Sequence, residues 1–337
     1  MESPRYVGIE IGGTKLQLVA GTARGEIIER QRFAVDSRAG AEGIQAQIVG
    51  ALPSLAQQHR AIAIGAGFGG PVDIARKSIA CSHQVEGWSG FALGAWLEAL
   101  AGIPAIIEND ANTATLGEAL AGAGRGSNPV FYTTLGSGVG GGLVVDGQIY
   151  HGSRPGEAEI GHLRLDRSGA IVESRCSGWA VDRKIRAAIE RTPDCLLGRL
   201  TQGRSGGEAA FLGEALHQND PLANSILQET AADLAFALSH VTHLFHPETI
   251  VLGGGLSLLG EPLRAAVAKN LEPWVMEVFR PAPVIRIAGL GEDSVPVGAL
   301  LLAAHGAATG CRPERGVDLN IPHQLLPLPA KNERGEG

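Results

Sequence analysis

The chain has 337 residues, enough for two domains that each bury a core. Hydrophobic residues make up 44% and charged residues 19%, the balance of a soluble globular protein rather than a disordered one. The net charge of −7, with no basic block, argues against nucleic acid as a partner.

Tyr6 to Ile11 alternates apolar residues and predicts a strand ending in Gly12-Gly13-Thr14. Lys15 to Ala20 predicts a second strand, and Glu26 to Val35 a third after the turn Ala23-Arg24-Gly25. A helix is expected from Ala41 to His59, bent or interrupted at Pro53. Ala61 to Ala66 reads as a buried strand running into Gly67-Phe68-Gly69-Gly70-Pro71, and Phe91 to Ala101 has helical spacing. Ala105-Ile106-Ile107 is a short apolar strand, and Ala111 to Ala123 is rich in helix formers. Asn109 and Asp110 therefore fall on a strand-to-helix turn, where side chains project into a crevice. The helix N-terminus is expected to lower the pKa of Asp110 and keep it charged. A charged carboxylate at a cleft can take a proton from a substrate hydroxyl. Taken alone, the turn fits an N-capping Asp better, with Asn109 and Asn112 as turn residues.

The pattern then restarts. Val130 to Leu135 predicts a strand, Gly136-Ser137-Gly138 a turn, and Gly142 to Val145 a strand, with Asp146-Gly147 turning into Gln148-Ile149-Tyr150. Thr249 to Leu252 is a further strand ending in Gly253-Gly254-Gly255. Helices are expected over Trp179 to Arg191, Ser205 to Asn219, Leu222 to Phe245 and Gly260 to Leu271. A last helix, Pro296 to Ala308, could cross back onto the first domain, and the polar, proline-rich stretch beyond Arg312 reads as a loose tail. Strand, Gly/Ser/Thr turn, strand, turn, strand thus occurs twice, which implies a duplicated α/β unit with a cleft between the halves. The expected domains are 1–118, completed by a helix at about 296–312, then 119–295, then the tail 313–337. Cys81, Cys176, Cys195 and Cys311 are scattered and fit a reducing cytoplasm. No signal peptide or membrane span is visible.

Glycine turns between strands bring backbone N–H groups close to a ligand, and such nests bind anions. Two facing turns, Gly12-Gly13-Thr14 and Gly136-Ser137-Gly138, could hold a polyphosphate from both sides; either alone would read as a plain hairpin turn. No Gly-Lys-Ser/Thr occurs, which excludes a P-loop. Gly136-x-Gly138-x-x-Gly141 matches a dinucleotide fingerprint but leads into a strand, not the required helix.

The constellation resembles the ROK family (repressor, open reading frame, kinase) of sugar kinases, in the actin-like ATPase superfamily. Gly8-Ile9-Glu10-Ile11-Gly12-Gly13-Thr14-Lys15 and Leu135-Gly136-Ser137-Gly138-Val139-Gly140-Gly141-Gly142 resemble its two phosphate motifs. Gly69-Gly70-Pro71-Val72-Asp73 and Glu108-Asn109-Asp110-Ala111-Asn112 resemble its sugar and catalytic segments. Glu159-Ile160-Gly161-His162 resembles the sugar-binding Glu-x-Gly-His, and Glu173-Ser174-Arg175-Cys176-Ser177-Gly178 the segment with a second sugar-binding Glu. Pro247 to Gly255 resembles the adenosine-side strand and turn, so the likeness runs from Tyr6 to about Gly310.

The resemblance implies a duplicated actin-like (ribonuclease H-like) α/β fold and ATP-dependent phosphorylation of a sugar hydroxyl, with Asp110 as base. Sugar would be bound by Gly70, Asn109, Asp110, Glu159, His162 and Glu173. ATP phosphates would be bound by Gly12, Gly13, Thr14, Lys15, Gly136, Ser137, Gly138, Gly254 and Gly255, and Mg2+ by Glu10 through water. The family has Asp at position 10; Glu10 is one methylene longer and still reaches a Mg2+-bound water. The family's zinc loop carries three cysteines, whereas residues 163 to 172, between His162 and Glu173, contain none. A structural zinc wants four ligands, so no zinc site is expected. That short link, with Leu163, Leu165, Ile171 and Val172, is expected to pack as two brief strands turning at Gly169.

His240, His243 and His246 spread round a helix rather than stacking at i, i+4, which argues against a metal site. Glu157 reads as a solvated charge and Trp88 as part of the sugar-side wall. Family members that are repressors carry a DNA-binding segment ahead of the first phosphate motif; here that motif lies within ten residues of Met1. Glucose is the favoured acceptor, ahead of fructose, mannose and N-acetylhexosamines. A non-catalytic sugar sensor and a kinase using polyphosphate are the alternatives. A homodimer is expected.

Overall fold

The computed structural model describes residues 3–82, 85–153 and 158–308. Glu157 and the tail from 313 lie outside the described residues. The chain opens as an antiparallel meander of β1 (Arg5–Ile11), β2 (Lys15–Thr22) and β3 (Ile27–Ala34). Helix α1 (Gly40–Gln58) runs through Pro53 without the expected interruption. Ile44, Ile48, Leu52 and Leu55 form one buried stripe along both halves of α1, and burying that stripe outweighs the donor lost at Pro53. β4 (Ala61–Phe68) returns parallel to β1. After the small hairpin of β5 (Val72–Asp73) and β6 (Ser78–Ile79) and helix α2 (Leu93–Ala101), β7 (Ala105–Asn109) pairs parallel to β4 and leads into α3 (Asp110–Leu120).

The second half repeats this plan. β8 (Val130–Leu135), β9 (Val139–Val145) and β10 (Gln148–Ile149) are antiparallel. Among the described residues, helices α4 (Val172–Cys176), α5 (Gly178–Arg191), α6 (Leu196–Leu200), α7 (Leu212–His217) and the long α8 (Pro221–Phe245) follow. β11 (Thr249–Gly253) then pairs parallel to β8, α9 (Glu261–Leu271) crosses over, and β12 (Val284–Ile287) pairs parallel to β11. The sheets run β3-β2-β1-β4-β7 and β10-β9-β8-β11-β12, two copies of one order.

Several boundaries differ from the sequence reading. The stretch 205–219 is not one helix: Gly206 and Gly207 have φ of 109° and 79°, so a 3-10 turn at Glu208–Phe211 precedes α7. β9 begins at Val139 rather than Gly142, and α3 ends at Leu120 rather than Ala123. β12 went unread because four residues after a proline carry little pattern.

The closing helix α10 (Ser294–Ala308) packs on β1, β4 and α3. It lies in backbone contact with α3. A Cβ at Gly298 would overlap the Thr113 carbonyl, and one at Gly117 the Ser294 carbonyl. The opposite side of α3 packs on β8 and β9. Asp110, at the start of α3, is thereby held between the two sheets.

Candidate active site

The turn at the end of β7 separates two duties that the sequence left open. Asn109, not Asp110, is the N-cap: its Oδ1 accepts from Ala111 N at 2.8 Å and Asn112 N at 3.1 Å. Its Nδ2 donates to the Gly70 carbonyl at 3.2 Å, fixing the Gly69-Gly70 turn against α3. With capping done by its neighbour, the Asp110 carboxylate faces the cleft. A Cβ at Gly69 would sit 3.5 Å from Asp110 Oδ2 and 3.7 Å from Gly12 Cα, so the first glycine turn abuts this carboxylate. On the other side, a Cβ at Gly140 would lie 3.2 Å from that of Ala111. Asp110 therefore stands against the first glycine turn, next to the contact of α3 with β9.

The charge expected for Asp110 needs correction. Burial pushes its pKa up to about 7, outweighing the N–H donated by Ala111 at 2.8 Å; the carboxylates of Glu10 and Glu159 push the same way. The open cleft leaves Asp110 partly exposed, but the protein around it prevents full hydration. Desolvation exceeds the helix-dipole effect.

Glu10 ends β1 beside this turn. Its carboxylate meets Lys15 Nζ at 3.2 Å and accepts from Gln17 Nε2 at 2.6 Å. Burial raises its pKa despite Lys15 and Gln17. Lys15 thus lies against Glu10 beside the first turn, where Gly12 N bonds the Lys15 carbonyl and Thr14 is exposed. In the second turn Gly136 N bonds the Gly138 carbonyl, Ser137 is exposed, and Gly178 N, opening α5, bonds the Gly136 carbonyl at 2.7 Å. Gly254 follows β11 with φ 76°; a Cβ there would lie 2.5 Å from Leu135 N, while Gly255 has open space. Three glycine turns thus end strands at one edge of the cleft.

The residues read as sugar ligands come from two short segments. Glu159 and His162 are exposed on a 3-10 turn, Ile160–His162, and a Cβ at Gly161 would overlap the Val139 carbonyl. Glu173, on α4, accepts from Val139 N at 3.0 Å and lies against Gly138. In this geometry one oxygen of Glu173 is held by the second glycine turn. Gly140-Gly141-Gly142 serves packing as well: a Cβ at Gly142 would overlap Thr115, and one at Gly141 would lie 2.8 Å from the Ala158 carbonyl. Their absence lets α3 and the Glu159 turn close on opposite faces of β9.

The link between His162 and Glu173 forms the expected small hairpin. Arg164 and Ile171 pair antiparallel, and Leu165 N bonds the Ala170 carbonyl at 2.8 Å. Gly169 turns with φ 103°, while Asp166 Oδ1 accepts from Ser168, Gly169 and Ala170 N–H groups. Leu163, Leu165 and buried Val172 and Cys176 join the core of the second half; Ile171 is not in that cluster.

Trp88 is buried in an edge-to-face ladder with Phe68 and Phe91 and lines a recess with Gly12, Gly13 and Gly69. His243 Nε2 accepts from Met276 N at 3.2 Å, His246 stacks on Phe279 at 3.9 Å and His240 meets Phe236, so the three rings serve packing. Among the described residues, no group of three or more His, Cys, Asp or Glu side chains is arranged to hold a metal.

Sequence reading missed Gln17, fully buried, which orients Glu10; a polar residue in an apolar strand was the available signal. It also missed Glu118, fully buried on α3. Glu118 accepts from Ala123 N, Gly289 N, Leu290 N and Ser294 Oγ at 2.8–3.0 Å. Those donors lie on the two segments that connect the halves.

The glycine turns fit a nucleotide polyphosphate: Gly255 faces open space, and the Thr14 and Ser137 hydroxyls are exposed. Glu10 fits a hydrated Mg2+: it is a half-buried carboxylate whose charge also raises the pKa of Asp110, a repulsion that a cation would relieve.

Comparison with known proteins bears on the fold and the family. The ROK family pattern matches residues 6–305. The glucokinase of Halalkalibacterium halodurans is 30% identical over 306 residues, covering 87% of this chain and 93% of its own. The glucokinase of Streptomyces coelicolor is 30% identical over 309 residues, covering 88% and 96%. Among solved structures, a ROK family glucokinase from Streptomyces griseus in complex with glucose and AMPPNP superposes with a TM-score of 0.79 at 31% identity, covering 90% of this chain and 100% of that one. The ROK hexokinase from Thermus thermophilus gives 0.74 at 27% identity, covering 91% and 100%. The fold is that of the actin-like ATPases, and the chain belongs to the ROK family.

Proposed function

We infer that this chain is an ATP-dependent hexose kinase that transfers the γ-phosphoryl group of ATP to a hydroxyl of glucose. The observation that carries it is the Asp110 carboxylate: not used as the cap, half-buried, with a pKa of about 7, and set against the first glycine turn where α3 meets β9. A base with that pKa takes a hydroxyl proton near neutrality and still holds a driving force for the transfer.

In this reading Asp110 accepts the proton of the acceptor hydroxyl at its free oxygen. Asn109, through its cap and its bond to Gly70, keeps that carboxylate in line. Glu159, His162, Glu173 and Asn109 bind the other sugar hydroxyls; carboxylates that closure over the sugar buries, left unpaired by a missing hydroxyl, would reject the wrong acceptor. Gly12, Gly13, Thr14, Lys15, Gly136, Ser137 and Gly138 hold the phosphates, and Gly254 and Gly255 border the nucleoside. Glu10, oriented by Gln17, would hold Mg2+ through water. When bound, that ion neutralises charge on the transferring phosphate. Closure of the two halves, divided near residue 118 and completed by α10, would exclude water as a competing acceptor.

The same reading makes the protein cytoplasmic; no described helix is long and apolar enough to cross a membrane. It also makes it a homodimer. Leu244, Phe245, Trp274, Met276 and Val278 expose an apolar face along the end of α8 and the 3-10 turns after α9, larger than isolated surface apolar residues need. The sedimentation mass at micromolar concentration checks it.

The test of the activity is 31P NMR of the protein with ATP, Mg2+ and glucose. A new sugar phosphomonoester formed in step with ADP is expected. Inorganic phosphate in place of the ester, or no turnover while glucose binds, would overturn the kinase reading in favour of an ATPase or a sugar sensor.

A further inference from the structure

We propose that Glu108 and His151 are positioning residues that clamp the catalytic turn onto the end of β10 in the other half. Glu108 lies near the end of β7, immediately before Asn109 and Asp110, and its side chain is 2% exposed. Its Oε1 accepts from Asn109 N at 2.9 Å and Asn112 Nδ2 at 3.1 Å, both in the turn that presents Asp110. Its Oε2 is 2.6 Å from His151 Nε2. His151 belongs to the other half, just after β10. One carboxylate therefore joins the base-bearing turn to a strand end of the other half.

The arrangement acts on position rather than on protons moved in the reaction. Ionised, a carboxylate only accepts, and here three donors from three places converge on one. The imidazole must then present its Nε2 hydrogen. Charge-assisted bonds of this kind are short and directional, so they fix a distance between segments better than apolar contact does. Tyr150 N bonds the Leu143 carbonyl, so this strand end is anchored on β9, and the Glu108–His151 pair ties it to β7 as well. Asn109 and Asp110 sit on the turn that Glu108 holds, so a slip of this contact shifts the base and a sugar ligand together.

The inference rests on Asp110 as base and Asn109 as sugar ligand, and its experiment reads binding as well as turnover so that the two can fail separately. His151→Leu removes the donor, and His151→Gln returns an amide N–H at nearly the same reach. For each, the glucose Kd by calorimetry, both KM values and kcat are measured with the melting temperature. We expect His151→Leu to raise the glucose Kd and KM about ten-fold with the ATP KM within about two-fold, and His151→Gln to recover most of that loss. Glu108→Gln combined with His151→Leu should cost less than the two single changes added, as a contacting pair requires. Wild-type glucose Kd and KM in His151→Leu would overturn the clamp. So would a loss shared equally by glucose and ATP, tracking the melting temperature and unrelieved by His151→Gln. A wild-type protein that turns over no ATP would refute the base and leave the glucose Kd series to decide the clamp.

Discussion

At Asp110 two local effects oppose each other, and their balance sets the chemistry. The N-terminus of α3 favours the charged form, while the enclosing protein and the carboxylates of Glu10 and Glu159 favour the neutral one; the second group wins and the pKa reaches about 7. Two consequences follow from that direction. In the free enzyme kcat/KM should fall on the acid side with an apparent pKa near 7, since protonated Asp110 cannot accept the sugar proton. Stability moves with the same proton. The folded state holds it up to about pH 7, whereas the unfolded chain releases it near 3.8, so this residue's contribution falls as pH rises through that window. Asp110→Asn should therefore melt higher than wild type at pH 8 and level with it near pH 4, as differential scanning calorimetry can read. A pH-independent gap would show that the carboxylate is not strained by burial. The sequence placed Asp110 on the right turn but could not place its charge, because desolvation depends on neighbours distant in the chain.

Among the elements, α3 does most of the positioning. Its first turn presents Asp110, its glycine crossing with α10 sets its depth, and Glu118 ties its last turn to the segments that connect the halves. Bonds to a charged acceptor are worth about 1.5–3 kcal/mol each when the acceptor is removed. Glu118→Gln, which turns an acceptor oxygen into a donor facing N–H groups, should lower unfolding free energy by about 2 kcal/mol or more in denaturant titration. A change below about 0.5 kcal/mol would mean that the four bonds are dispensable. The hairpin between His162 and Glu173 makes a second case. Leu163, Leu165 and Val172 pack into the core and Asp166 organises the turn, so chain contacts fix what the family's cysteine loop fixes with metal. Purified protein should carry no stoichiometric zinc and should keep its activity after chelation once Mg2+ is restored. Activity recovered only by zinc would contradict this. The hairpin was legible from its apolar pairs and Gly169. The splitting of the 205–219 stretch was not, because Gly206 and Gly207 take left-handed φ values that composition alone does not demand.

The two halves share one strand order, and the repeated glycine turns in the sequence were enough to expose that duplication. Other glycines have a packing duty that composition does not show: Gly117, Gly140, Gly142 and Gly298 let α3 approach β9 and α10 at backbone distance, which only the packed structure reveals. α3 and α10 both touch the connecting segments; we propose that the halves rotate near Gly122-Ala123-Gly124 and the segment ahead of α10. Saturating glucose should then reduce the radius of gyration in small-angle scattering; an unchanged radius with binding confirmed would place closure elsewhere. Everything in this account turns on one carboxylate performing the proton transfer in a sugar kinase, and steady-state kinetics of Asp110→Asn beside glucose and ATP binding probes it. The variant should bind both ligands with near wild-type affinity and lose about 10²- to 10⁴-fold in kcat. Turnover within a few-fold of wild type would contradict the account and leave Asp110 a structural residue.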